Sequence, residues 1–267
     1  MASWPKRSKL SLVYAYKMKM KKILFLLFVM MLLTNCEAPG DCIKSTGPVA
    51  TKTLNGLTFT KILVNKGIAV VIKQGDETKV EIKTGQNLIN DIEVGVVNDM
   101  LVLSDNTSCN WTREYGGTVV YITTPTLTDI YSKTEQNIIS EGILTFPTLH
   151  LFSMDTFDGF NGIGTGDFLL QIQNERLAID SNNVSRFFLT GTSHDMQVNF
   201  YESGGIFHGE HLLVNNIYVY HRGTNDIVLH PLDEIKGDIY NIGNVICVNH
   251  PPVVEVRQHY RGQLIFY

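Results

Sequence analysis

The chain has 267 residues, 44% hydrophobic and 18% charged, with a formal net charge of −4 at pH 7. The charge is unevenly spread: seven of the 22 Lys and Arg fall in residues 1–35 and none of the 26 Asp and Glu, which leaves the remainder at a formal −11. Such a field repels polyanions, so nucleic acid is excluded as a partner, and the roughly 230 remaining residues suffice for a sizeable core in one or two domains.

Residues 1–17 carry Trp4, Pro5 and scattered basic residues without an organised pattern, and Met18 or Met20 is the expected start of translation. Lys19, Lys21 and Lys22 then precede an eleven-residue apolar run, Ile23 to Leu33, closed by Leu33-Thr34-Asn35-Cys36. A basic start, a short apolar stretch and small residues at the cut make an export signal. Eleven residues fall short of the ~20 that span a bilayer. Leu33, three places before Cys36, completes a lipobox. The pattern predicts cleavage after Asn35, lipidation of the Cys36 thiol and a body held by its lipid in the bacterial envelope. The expected location is the outer membrane, facing the periplasm or the surface. Asn35 is less usual there than Gly, Ala or Ser, so a signal-anchored or cleaved soluble form is the alternative.

Residues 1–35 are therefore set apart as signal, and residues 36–50, with Pro39, Gly40, Gly47 and Pro48, read as a disordered tether. Three cysteines follow the signal, Cys42, Cys109 and Cys247, in a compartment that permits disulfides. Cys42 and Cys109 share loop-like, polar surroundings and are the favoured pair, whereas Cys247 sits in the apolar run Val245 to Val248. Three free thiols are the alternative. No C-x-x-C or Cys/His zinc spacing occurs, so no structural metal is expected.

Residues 51–267 read as one all-β domain. Ile68, Val70 and Ile72, then Val80 and Ile82, then Ile92, Val94 and Val96 alternate with their neighbours, the mark of strands with one buried face. Turns are expected at Gln74-Gly75-Asp76, Thr84-Gly85-Gln86-Asn87 and Asn98-Asp99. The one helical candidate is the short Asn87 to Asp91. The loop Asn106 to Gly117, with Cys109, Trp111 and Tyr115, offers a sugar-binding ring or, more simply, folds back over the core.

From about Thr126 short apolar strands recur every 19 to 28 or so residues. Their anchors are Leu127 to Ile130, Leu149 to Phe152, Leu177 to Ile179, Met196 to Phe200, Ile217 to Tyr220 and Ile239 to Ile242. A second strand follows within the units, at Phe187 to Leu189, Ile227 to Leu229 and Val245 to Val248. The periodicity predicts a parallel β-solenoid with corners at Asn182-Asn183, Gly204-Gly205, Asn215-Asn216 and Gly223. An irregular β-sandwich is the alternative. His250-Pro251-Pro252 ends the repeat, and Val253 to Tyr267 reads as a cap over the open edge.

Few residues suggest chemistry. Asp155, Asp158, Asn161 and Asp167 form an oxygen-rich run that could hold calcium, but the EF-hand spacing and the tandem calcium-roll pattern are both missing, and a glycine-rich corner explains it better. The same glycines lack the following helix of a dinucleotide cradle. His208 and His211 are three apart, which shares a face on a helix but not on a strand. His221, His230 and His250 fall near successive rungs and could line one face, though turn positions at the surface account for them. No G-x-S-x-G elbow or activated nucleophile appears. Carboxylates paired across rungs, as in glycoside-acting β-helices, stay open.

The ordered series Phe59-Thr60-Lys61-Ile62, Gly67-Ile68-Ala69-Val70-Val71-Ile72-Lys73-Gln74-Gly75-Asp76, Val80-Glu81-Ile82, Leu101-Val102-Leu103 and Val120-Tyr121-Ile122-Thr123-Thr124-Pro125-Thr126-Leu127 resembles the putative auto-transporter adhesin, head GIN domain family of bacterial envelope proteins. The resemblance runs from Phe59 to His250. It implies a single-stranded right-handed parallel β-helix and a role in adhesion, and it carries no catalytic or binding residues onto this chain. The expectation is a non-catalytic envelope lipoprotein without a cofactor, an adhesin or scaffold for an envelope protein or glycan. A carbohydrate-binding or polysaccharide-active β-helix is the alternative.

Overall fold

The structure is a computed structural model that describes residues 20–22, 44–107, 116–157, 160–202 and 204–267. Cys36, Cys42 and Cys109, with Trp111, Tyr115 and Asp158, lie outside the described residues. Residues 20–22 are helical, and no helix among the described residues is long and apolar enough to cross a membrane. Residues 45–107 and the described residues from 116 to 267 belong to one unit of strands and turns.

Its first strands are β1 (Val49–Asn55), β2 (Lys61–Val64), β3 (Ile68–Gln74), β4 (Lys79–Gly85), β5 (Ile92–Val97), β6 (Met100–Asp105) and β7 (Thr118–Thr124). β4 runs antiparallel to both β1 and β7, and β5 and β6 form an antiparallel hairpin. At the hairpin tip Asn98 and Asp99 have φ of 49° and 65°. Two positive φ values in a two-residue loop match the right-handed twist of the strands, and Asn and Asp bear them best among side-chain-bearing residues. The helical candidate Asn87 to Asp91 is a run of turns, in which the Leu88 and Ile89 amides both donate to the Gly85 carbonyl.

The chain continues through β8 (Asp129–Ser132), β9 (Ile138–Leu144), β10 (Thr148–Ser153), the small ribbon β11 (Thr156–Phe157) and β12 (Phe160–Asn161), then β13 (Phe168–Ser181) and β14 (Arg186–Phe200). It ends with β15 (Ile206–His221), β16 (Ile227–Ile239), β17 (Val245–Cys247), β18 (Val253–Gln258) and β19 (Leu264–Phe266). These stack in two parallel ladders. One aligns Ile62, Ile130, Leu151, Ile179, Val198, Val219, Gly237 and Val256 in a single column. The other aligns Val120, Val70, Ile138, Phe168, Phe187, Phe207, Ile227, Val245 and Leu264.

β13 to β16 each span both ladders, so the sheet turns back on itself and the two inward columns meet in one hydrophobic cluster. Neighbouring strands lie ~4.8 Å apart, which brings like side chains of successive turns into contact. The Phe168 and Phe187 rings stack at 4.8 Å. Cys247 continues this core, opposite Leu229 and Phe266, as a buried free thiol.

Besides the helical candidate, three expectations need correction. The end of the expected tether is already part of the sheet, since Val49 and Ala50 belong to β1 and pair with Gly85 and Thr84. The fold is all-β as expected, but its sheet is mixed and not parallel throughout, because β1, β4, β5, β6 and β7 carry antiparallel pairings. Period-two alternation reports which face is buried and is blind to strand direction. The last anchor is Ile235–Ile239 rather than Ile239 to Ile242: Ile239 closes β16, and Ile242 is 47% exposed in the following turn. Gly237 interrupts the apolar column there, with φ of 131° and a position where a Cβ would meet the Val219 carbonyl oxygen at 1.9 Å.

Candidate functional site

Side chains between the core columns face outward, and the parallel register collects them into rows. One row on the first ladder runs Asp129, His150, Ala178, Gln197, Tyr218, Lys236 and Glu255. A second, offset by two residues along each strand, runs Tyr131, Phe152, Asp180, Asn199, Tyr220, Asp238 and Arg257. Ala178 is the smallest member of its row, and a groove of about 400 Å³ opens there, bordered by His150, Arg176, Asp195, Gln197, Tyr218 and Lys236.

The groove carries both signs of charge. Asn216 Nδ2 donates to Asp195 Oδ1 at 2.9 Å, and that hydrogen bond is the main reason the Asp195 carboxyl is held below its ordinary range. Lys236 Nζ lies 2.7 Å from Glu234 and 3.6 Å from Glu255, and the hydrogen bond to Glu234 raises its pKa. Glu234 and Glu255 are brought together by the Lys236 ammonium between them, whereas Asp195 and Glu234 are further apart. The latter two stand on either side of Asn216 in register, two strand steps or about 10 Å apart along the backbone.

Beside the groove, the second row forms a tight polar and aromatic stripe. Asp180 accepts from His150 Nε2, from Tyr201 Oη at 2.7 Å and from Asn199 Nδ2 at 2.9 Å. Burial opposes its ionisation, and the three hydrogen bonds together outweigh burial and lower its pKa. Burial, and then the bond to Asp180, raise the Tyr201 phenol. Tyr201, Tyr220, Tyr240 and His259 follow one another with ring separations of 5.6, 5.1 and 4.3 Å. Asp238 ties this end together, accepting from Arg257 at 2.8 Å and His259 at 2.7 Å, and the Arg257 bond contributes most to lowering its pKa. At the other end Tyr131 and Phe152 stack at 4.4 Å in a small buried cluster with Leu63 and Met100.

The residues singled out by sequence take other roles. In the calcium candidate, Asp155 accepts from Asn182 and Asp167 from Arg186, so these two carboxylates have separate partners. The cation in that loop is Lys133, whose buried ammonium donates to the carbonyls of Met154, of Asp155 at 3.0 Å and of Gly162 at 3.2 Å. Burial lowers the Lys133 pKa, and Asp155 partly offsets it.

The histidines do not share a face. His208 stacks on Phe188 at 4.7 Å, His221 is buried in the core, His230 lies on the other ladder and His250 packs on Phe266. No group of three metal-ligating side chains occurs among the described residues. Sequence reading missed the groove, because its lining comes from five strands and becomes a row only once the register is known.

Residues 58–251 match the protein family described as Putative auto-transporter adhesin, head GIN domain. Among solved structures the chain is similar to a putative adhesin from Bacteroides fragilis NCTC 9343, with a TM-score of 0.72 and 21% identity over 82% of this chain and 97% of that one. A putative adhesin from Parabacteroides merdae ATCC 43184 gives a TM-score of 0.60 and 15% identity over 83% and 97%. A putative lipid binding protein from Parabacteroides distasonis ATCC 8503 gives 0.59 and 13% over 82% and 97%. At these identities the likeness shows the fold alone. No curated protein matches the chain.

Proposed function

Because the chain belongs to the auto-transporter adhesin, head GIN domain family, we propose that it is a non-catalytic binding scaffold of the bacterial envelope, anchored through lipid on Cys36. On this reading the parallel ladders are successive coils of a solenoid, and the outward face of the first ladder is what the anchored body presents to an envelope protein or a glycan. The supporting observation is the register itself. It sets the groove at Ala178 and the tyrosine stripe side by side, on rigid strands that lose little entropy when a partner docks.

A glycan is the favoured partner, because Tyr218 is 44% exposed next to Gln197 and Asn216. An aromatic face beside amide groups suits the apolar faces and hydroxyls of a sugar. The non-catalytic reading is supported by the carboxylates, since Glu234 and Glu255 share the Lys236 ammonium and Asp195 accepts from Asn216. The test is a binding screen of the full chain against glycans, envelope proteins and lipid vesicles, repeated with Ala178→Trp to fill the groove and with Tyr218→Ala. Binding weakened at least tenfold by both, with unchanged thermal unfolding, is the expected result. Ligand binding indifferent to both substitutions overturns the assignment of this face, and release of sugar from a polysaccharide overturns the non-catalytic reading.

A further inference from the structure

Both ladders finish on strands paired on one side. β18 pairs with β16 and β19 with β17, and neither has another neighbour among the described residues. The core is unfinished at this end: Val256, Leu264 and Phe266 pack against it but are only partly buried. Val253 and Val254 are 38% and 37% exposed, and Tyr260 61%. A strand with a free row of amides and carbonyls beside exposed apolar side chains is a template for another strand.

The backbone selects how a second copy can pair. The His259 amide donates to the Ile239 carbonyl. By alternation, the odd-numbered residues of β18 direct their amide and carbonyl towards β16, while Val254, Val256 and Gln258 direct theirs to the free side. An antiparallel twofold pairing must bring these free groups together, so the axis has to cross β18 at a residue and not between two.

Charge then separates the central choices. An axis at Glu255 sets that carboxylate against its own copy, and one at Arg257 opposes two guanidinium groups. An axis at Val256 places Glu255 opposite the second copy's Arg257 twice over, and Val254 opposite Gln258. Arg257 already bonds Asp238 at 2.8 Å, and with five N–H groups it can serve both carboxylates.

We infer that β18 pairs antiparallel with β18 of a second copy about a twofold axis at Val256, covering the open end of the core with a self-complementary interface. This goes beyond the proposed binding role: Glu255 and Arg257 end the rows of that face, but the pairing edge is the free backbone of β18 and its readout is oligomeric state, so either can fail alone.

Equilibrium sedimentation of the detergent-extracted full chain tests it. The unaltered chain is expected to be dimeric. Glu255→Arg and Arg257→Glu, each alone, are expected to be monomeric, because each opposes like charges, and an equimolar mixture of the two is expected to regain a dimer through restored unlike pairs. A folding defect in either variant would not be repaired by mixing. Val256→Cys adds a second measurement: opposed Cα atoms of a hydrogen-bonded pair are ~5.5 Å apart, within disulfide reach. A reducible dimer is expected above the unaltered chain's background, and not with Val254→Cys. A monomeric unaltered chain, single variants that dimerise as well as it does, or a mixture that stays monomeric overturns the inference.

Discussion

The buried ammonium of Lys133 ties the glycine-rich loop together by bonding the carbonyls of Met154, Asp155 and Gly162, of which the Asp155 carbonyl also accepts from the Gly162 amide. Lys133→Met keeps the length of the side chain and removes those bonds, so it is expected to cost about 1–3 kcal/mol, read as a lower urea midpoint with faster hydrogen exchange in residues 153–165. His221 is a second buried polar group: its Nε2 pairs with the Asn225 carbonyl, while Nδ1 has no partner among the described residues. Burial holds its pKa below the ordinary 6.5. The folded state therefore takes up this proton less readily than the unfolded chain. Stability is full above about 6.5 and is lost as pH falls from there through the lowered folded value. Urea midpoints between pH 7.5 and 5 should fall in the native chain and fall less in His221→Leu, and equal slopes would show that another group is responsible. Cys247 was legible as a core residue from its apolar run, and burial pushes its thiol up to about 12. His221 was not legible, since sequence shows a histidine before Arg222-Gly223 but not that the turn folds inward.

At the scale of the strand, the columns carry the stability. Phe187 is fully buried between Phe168 and Phe207, so Phe187→Ala should cost about 3–5 kcal/mol by denaturant unfolding. Gly237→Ala forces a Cβ against the Val219 carbonyl at a φ of 131° and should lower thermal stability by at least about 1 kcal/mol. Gly95→Ala, in open space on β5, should be neutral or stabilising by up to ~1 kcal/mol. If the two alanine variants melt alike, the close approach at Gly237 is not what holds that column. The positions of most strands could be read because alternation and the recurrence of apolar anchors both survive in sequence. Direction could not, since Val80 and Ile82 alternate as Val70 and Ile72 do although β4 is antiparallel to β7 and β3 parallel to it. Nor did sequence show that the paired strands of each unit are continuous, because the buried positions change parity at the corner, as from Phe168, Leu170 and Ile172 to Leu177, Ile179 and Ser181 in β13, and a break in alternation reads as a break between strands.

For the whole molecule, the family could be recognised because its ordered strand series spans most of the body, whereas the groove could not, being assembled from side chains as far apart as His150 and Lys236. The proposed attachment through Cys36 has a logic that is electrostatic as well as covalent. A body at a formal −11 is repelled by anionic headgroups, so under the proposed anchoring the hold on the membrane comes from the lipid. One acyl chain holds a protein only marginally, and several hold it firmly. Cys36→Ala is therefore expected to abolish incorporation of labelled fatty acid and to move the chain from the membrane pellet towards the soluble fraction, at low salt as at high. Retention of label by the variant would place the lipid elsewhere. Membrane retention that weakens as salt rises would instead mean a basic surface is doing the holding, as an uncleaved segment with seven Lys and Arg in residues 1–35 could, and the processed, lipid-held form would then be wrong.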